Sequence, residues 1–198
     1  MQKKQDNPTA SGTLPMPRRA ALRLGLAAFA LTALPRTALS ASTTATAADN
    51  VEIDIFSAAG TLEKTTRVPK IVKTDEQWLK QLSRQAFLVT RRSGTERSYT
   101  GELLNNKGDG LYRCICCDTA LFDSKTKYDS RTGWPSFWQK ISANNVIKSS
   151  DNSYGMRRDA ISCNRCDAHL GHVFNDGPLP TRLRYCMNSV ALRFAARA

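Results

Sequence analysis

The chain has 198 residues, 41% of them hydrophobic and 23% charged, enough for one soluble domain of ordinary size with a tail and giving no sign of a second enzyme. Its formal net charge is +12, but residues 1–48 hold six Lys or Arg and one Asp, so the remainder carries 23 basic against 16 acidic side chains. That modest excess brings no Lys/Arg run and no basic stripe interleaved with aromatics, which argues against a nucleic-acid partner.

Residues 1–48 do not belong to the globular part. Arg18-Arg19 is followed by an apolar stretch from Leu24 to Leu34 and then by small residues from Ala38 to Ala48. Basic, apolar, then small is the order of an export signal, and adjacent arginines suggest the twin-arginine type. The eleven-residue apolar part is too short to span a bilayer, so no stable membrane insertion is expected after cleavage, either after Ser40 or within residues 45–48. The expected destination is the bacterial periplasm; an uncleaved anchor or a basic tail is the alternative.

Residues 49–71 read as a linker or an edge extension, with Val51, Ile53 and Ile55 alternating with Glu52 and Asp54. Thr74 followed by Asp75 and Glu76 marks a helix start, and the helix is expected to run to Leu82 or Ala86 with Trp78, Leu79 and Leu82 facing the core. Beyond Gly101 the pattern changes to short strands separated by turn residues, at Leu111-Tyr112-Arg113 and Ala120-Leu121-Phe122, with a closing strand over 187–194 that puts Val190, Leu192 and Phe194 on one face. The fold class is mainly β, one antiparallel domain over 72–195.

The six cysteines divide by spacing. Cys114 with Cys117 and Cys163 with Cys166 form two Cys-x-x-Cys knuckles, together the four thiolates that a structural tetrahedral Zn2+ prefers. Two disulfides or four buried thiols are the alternatives. Cys116 is spare once the two-residue gap of the second knuckle is matched in the first. Cys186 has no partner at knuckle spacing; it lies near Arg182 and Arg184, whose charge favours a thiolate. The only histidines, His169 and His172, lie upstream on the same segment with Asp176 close behind, free for proton transfer if four cysteines fill the metal site.

Several runs then carry a resemblance. Asp167-Ala168-His169-Leu170-Gly171-His172-Val173-Phe174, Asp176-Gly177-Pro178 and Arg184-Tyr185-Cys186-Met187-Asn188-Ser189 closely resemble the signature of type B methionine sulfoxide reductases. Thr126-Lys127-Tyr128-Asp129-Ser130 with Gly133-Trp134-Pro135-Ser136-Phe137 resembles that family's central motif, and Gly94-Thr95-Glu96-Arg97 with Thr100-Gly101 its opening one.

The resemblance implies two antiparallel sheets with a few short helices, clamped by one zinc on Cys114, Cys117, Cys163 and Cys166. It implies that Cys186 attacks the sulfoxide sulfur of oxidised protein and is left as a sulfenic acid. His169 and His172 would hold or protonate the oxygen, Asp176 would tune them, Asn188 would assist by hydrogen bonding, and Arg184 would lower the Cys186 pKa. Trp134 and Phe174 would contact substrate, Trp134 as the apolar wall for the methyl group. Many members carry a resolving cysteine just before the Gly-Trp-Pro-Ser-Phe motif, where this chain has Thr132. Recycling would then fall to Cys116 or to an external thiol such as thioredoxin or a thioredoxin-like reductant. The chain is expected to act as a monomer, and a non-catalytic zinc-clamped binding module is the alternative reading.

Overall fold

The structure, a computed structural model, describes residues 49–151 and 158–198, so the export signal expected in residues 1–48 lies outside the described residues. The 49–71 segment forms a hairpin of its own, β1 (Asn50–Phe56) and β2 (Leu62–Pro69), a two-stranded antiparallel sheet. One side chain ties β1 to the main body: the buried Asn145 amide accepts from the Asp54 N–H at 2.8 Å and donates to the Asp54 carbonyl at 2.8 Å, standing in for a neighbouring strand. The Asp54 carboxylate in turn accepts from Ser142, Thr65 and Asn144, and these hydroxyl and amide bonds hold its pKa below the usual value.

Thr74 caps α1 (Asp75–Gln81) in a reciprocal capping box with Gln77. The helix stops there because Ser83 accepts from the Ala86 N–H and starts a second helix, α2 (Arg84–Arg92). Trp78 and Leu82 are buried as expected, but Leu79 turns to solvent at 48% exposure. Trp78 and Leu82, four residues apart, share one face of the chain there, and Leu79 stands about 100° round the helix from Trp78.

Two larger antiparallel sheets complete the fold. A three-stranded sheet runs β11–β3–β4, with β3 at Gly110–Cys114, β4 at Ala120–Asp123 and β11 at Leu192–Ala196. A six-stranded sheet runs β5–β6–β10–β9–β8–β7. Its members are β5 (Lys127–Tyr128), β6 (Ser136–Phe137), β7 (Val146–Asp151), β8 (Arg158–Cys163), β9 (His169–Phe174) and β10 (Arg184–Met187). The expected closing strand over 187–194 is cut short because the buried Glu96 carboxylate accepts from the Ser189 and Val190 N–H groups. Those donors are unavailable to a strand ladder, and a 3-10 turn at Ser189–Ala191 replaces it.

Aromatic rings join the two larger sheets. Phe122 stacks on Phe137 with centroids 4.5 Å apart, and Tyr112 meets Phe137 edge-on at 4.9 Å. Each fully buried ring contributes about 1.5–3 kcal/mol. Alternation then dictates the rest: Phe137, Tyr185 and Val173 lie paired across β6, β10 and β9 on the core side, so the residues between them face the other way.

Candidate active site and metal centre

The two cysteine knuckles adopt the same turn. In each, the first cysteine donates its N–H to the residue five positions on, Thr119 or Ala168, and accepts from the residue four positions on, Asp118 or Asp167. Both aspartates take the left-handed conformation, at φ 62° and 55°, which Asp tolerates better than most residues. The turns meet at the ends of β3 and β8, bringing the sulfurs of Cys114, Cys117, Cys163 and Cys166 within 4.8 Å of one another. Cys114–Cys166 is 3.7 Å and Cys117–Cys163 is 3.5 Å. Four thiolates around a zinc at about 2.3 Å lie about 3.8 Å apart, so the four cysteines fit a tetrahedral metal ion. All six cysteines are free, which sets aside the disulfide alternative in this structure.

Strand register assembles the second centre. One row crosses the six-stranded sheet as Ser149, Ala160, His172, Cys186, Ser136 and Tyr128. All six side chains lie on the face opposite the core, so Cys186 stands directly between His172 and Ser136. Two residues along, on the same face, come Asp151 opposite Arg158 and Phe174 opposite Arg184. Gly171 permits the close pairing of β9 with β10: with φ at 154°, a Cβ there would run into the Cys186 carbonyl.

His169 reaches this face by an irregularity. The β8–β9 register shifts between Ile161 and Ser162, leaving Leu170 as an extra residue. That bulge brings two histidines three positions apart to ring centroids 5.3 Å from each other. Burial, with the neighbouring His172 second, pushes the His169 pKa down to about 4, so it is neutral at pH 7. Its Nε2 has no hydrogen-bond partner among the described residues.

His172 Nε2 lies 2.8 Å from the Asp151 carboxylate, whose same oxygen is 3.3 Å from Arg158. Asp151 escaped the sequence reading; only the β7–β8–β9 register brings it across, and no local motif marks it. Asp176, expected to tune the histidines, instead forms a two-pronged ion pair with Arg184, at 2.9 Å to Nε and 2.8 Å to a terminal nitrogen. The Arg184 guanidinium also lies over the Phe174 ring, 4.3 Å from its centroid.

Arg184 pulls the Cys186 pKa in the expected direction, as do the Thr132 and Ser136 hydroxyls, but burial outweighs them and the thiol sits above its ordinary value. Asn188, expected to assist by hydrogen bonding, has its amide engaged in the fold: it accepts from the Glu96 N–H at 2.9 Å and donates to the Leu170 carbonyl at 3.1 Å. Trp134 is half-buried, its indole N–H donating to the Glu96 carbonyl at 3.1 Å, and it lines a cleft of about 720 Å³. Thr132 lies 3.8 Å from the Cys186 sulfur and bonds to Ser130, which bonds to Ser136. Cys116 is buried against Cys114 and Cys166 instead, on the metal side.

Comparison with known proteins agrees with this geometry. Residues 82–196 match the SelR domain. A peptide methionine sulfoxide reductase MsrB of Pseudomonas putida (strain W619) is 53% identical over 128 residues, 65% of this chain and 96% of that protein. The MsrB of Synechococcus sp. (strain RCC307) is 51% identical over 121 residues, 61% of this chain and 89% of that one. A chloroplastic peptide methionine sulfoxide reductase B1 of Oryza sativa subsp. japonica is 52% identical over 120 residues, 61% of this chain and 56% of its own length.

Proposed function

Since the chain belongs to the SelR-domain family of MsrB peptide methionine sulfoxide reductases, we propose that it reduces methionine R-sulfoxide in oxidised proteins, with Cys186 as the nucleophile. The observation that carries this reading is the strand register that sets Cys186 beside His172 on the open face, with His172 tied to Asp151.

The Cys186 thiolate attacks the sulfoxide sulfur while the oxygen takes up a proton. Net, the oxygen passes to the cysteine sulfur, which is oxidised by two electrons to a sulfenic acid as the sulfoxide is reduced to the thioether. His172, oriented by Asp151, supplies the proton, and His169, neutral, offers the oxygen a hydrogen bond. Trp134 walls the methyl group, and Phe174 with Asp176 fixes Arg184 beside the sulfur. An external dithiol of the thioredoxin kind then reduces the sulfenic acid, taking its oxygen as water and becoming a disulfide. Thr132 favours this route, since the thiolless side chain next to Cys186 leaves no internal partner there.

The metal is zinc, one per chain, held by Cys114, Cys117, Cys163 and Cys166 and structural in role. The four-sulfur set supports it, being soft, closed and without a fifth position for substrate. The protein acts as a monomer in the periplasm, reached by the twin-arginine route.

The test is reduction of R- and S-sulfoxide peptides with dithiothreitol by the wild type and by Cys186→Ser. Turnover of the R form alone, abolished by the substitution, is the expected result. No turnover of either form, with metal bound and the fold intact, leaves the non-catalytic binding module as the better account.

A further inference from the structure

The cleft of about 720 Å³ lined by Trp134 enters the chemistry above only through that ring. It lies two strands along the sheet from the reacting sulfur: Tyr128, one of its lining residues, is separated from Cys186 in the strand row by Ser136. Aromatic rings line one side, Trp134 and the exposed Tyr99, with the Tyr99 N–H held by the Gly133 carbonyl at 2.8 Å. Three exposed cations, Lys107, Lys125 and Arg131, stand along it, none of them in a salt bridge with a described residue.

The acidic side chains of the cleft are already engaged. Asp109 is held by Arg197 at 3.0 Å and accepts from Ser124 at 2.9 Å, and Asp129 accepts from the Arg131 N–H at 2.9 Å. A fourth cation lies deeper: the Lys127 ammonium donates to the Leu104 and Asn106 carbonyls at 2.7 and 2.9 Å. Four lining cations thus face one carboxylate without an ion-pair partner of its own, Asp129. The cleft is electropositive, and its aromatic wall continues that of the methyl group.

We infer that this cleft is the subsite for the polypeptide flanking the sulfoxide, and that it selects segments with Asp or Glu beside the oxidised methionine. The inference rests on the reductase reading for the sulfoxide and on the cleft alone for the flanks. The backbone lies over Trp134 and Tyr99, and flanking carboxylates meet Lys107, Lys125 and Arg131 at the rim. These are exposed pairs, so two or three of them yield about three- to tenfold in affinity, and salt screens the effect.

The experiment uses three R-sulfoxide peptides of one sequence, carrying Glu, Ala or Lys on both sides of the oxidised residue. Their affinities for the full chain bearing Cys186→Ser are measured by calorimetry at low and high ionic strength, and their turnover is measured with the wild type. The expected order at low salt is Glu tighter than Ala tighter than Lys, collapsing at high salt and inverting in the double variant Lys107→Glu, Lys125→Glu. Equal affinities at low salt, or an order that survives the charge reversal, overturn the subsite. If the three bind alike while all are reduced, the subsite falls and the reductase reading stands. If the Glu order holds while none is reduced, the reductase reading falls and the cleft stands as an acidic-peptide site.

Discussion

Cys186 is pulled two ways, and the balance can be read in its chemistry. Burial raises its pKa, while the Thr132 hydroxyl and the Arg184 charge lower it, with burial the larger. Below that raised pKa the thiol is protonated, so alkylation of the resting enzyme by iodoacetamide is expected to be slow at neutral pH. Its rate should climb with pH through an inflection above the usual thiol value of about 8.5. Arg184→Met removes a charge that stabilises the thiolate, so the inflection should move higher still; an inflection left in place would show that Arg184 does not act on the sulfur. Thr132 makes a second prediction, since its hydroxyl lies 3.8 Å from the same sulfur. Thr132→Cys should let the sulfenic acid condense to an internal disulfide, seen as the loss of two thiols per chain after one turnover without reductant, where the wild type loses one. The roles given to Cys186, His172 and Thr132 came from the runs around them, which resemble a known family's signature. The partners of Asp176 and Asn188 were not legible in the sequence. Side-chain reach and burial chose Arg184 for the first and the Glu96 and Leu170 backbone for the second.

Strand pairing explains how Asp151 reaches His172 from twenty-one positions away. Three strands, β7, β8 and β9, must stay in register for the carboxylate to reach Nε2, and the acceptor fixes which ring nitrogen carries the proton. Asp151→Asn keeps the shape and removes the charge. It should lower kcat by about a hundredfold, at the lower end of what positioned proton transfer supplies, with KM little changed; steady-state kinetics on one R-sulfoxide peptide checks this. A wild-type kcat would take Asp151 out of the mechanism. The knuckles are the other element-scale device, clipping the β3–β4 turn to the β8–β9 turn. A structural zinc contributes about 10–16 kcal/mol in peptides, as much as the whole stability of an ordinary domain. Cys163→Ser, or a chelator strong enough to strip the wild type, should therefore abolish the cooperative melt followed by circular dichroism, and elemental analysis should give one zinc per folded chain. A metal-free protein melting as the wild type does would refute the clamp. The clamp was legible because four cysteines at fixed spacing admit few arrangements. The break at Ser189 was not, because the competing acceptor is Glu96, ninety-three positions away.

At the scale of the whole molecule, the metal centre and the proposed leader would place conflicting demands on one chain. The cluster has to be loaded as four reduced thiols, and all six cysteines of the folded protein are free, yet the leader reading sends the chain to a compartment that favours disulfides. An unfolded chain arriving there would expose the knuckles to oxidation before metal bound, each within easy reach of forming a bridge. Export after folding would remove the conflict, because thiolates already holding a metal at the ends of β3 and β8 would no longer be open to oxidation. The adjacent Arg18 and Arg19 are the feature such a route would read. Replacing both with Lys keeps the charge and the apolar stretch but alters the guanidinium pair. The expected result in a bacterial host is accumulation of uncleaved, zinc-loaded, active protein in the cytoplasm, measured by fractionation, metal analysis and sulfoxide turnover. Unchanged periplasmic delivery would show that the chain crosses by a route that does not read the pair, and the cluster would then have to be loaded after crossing.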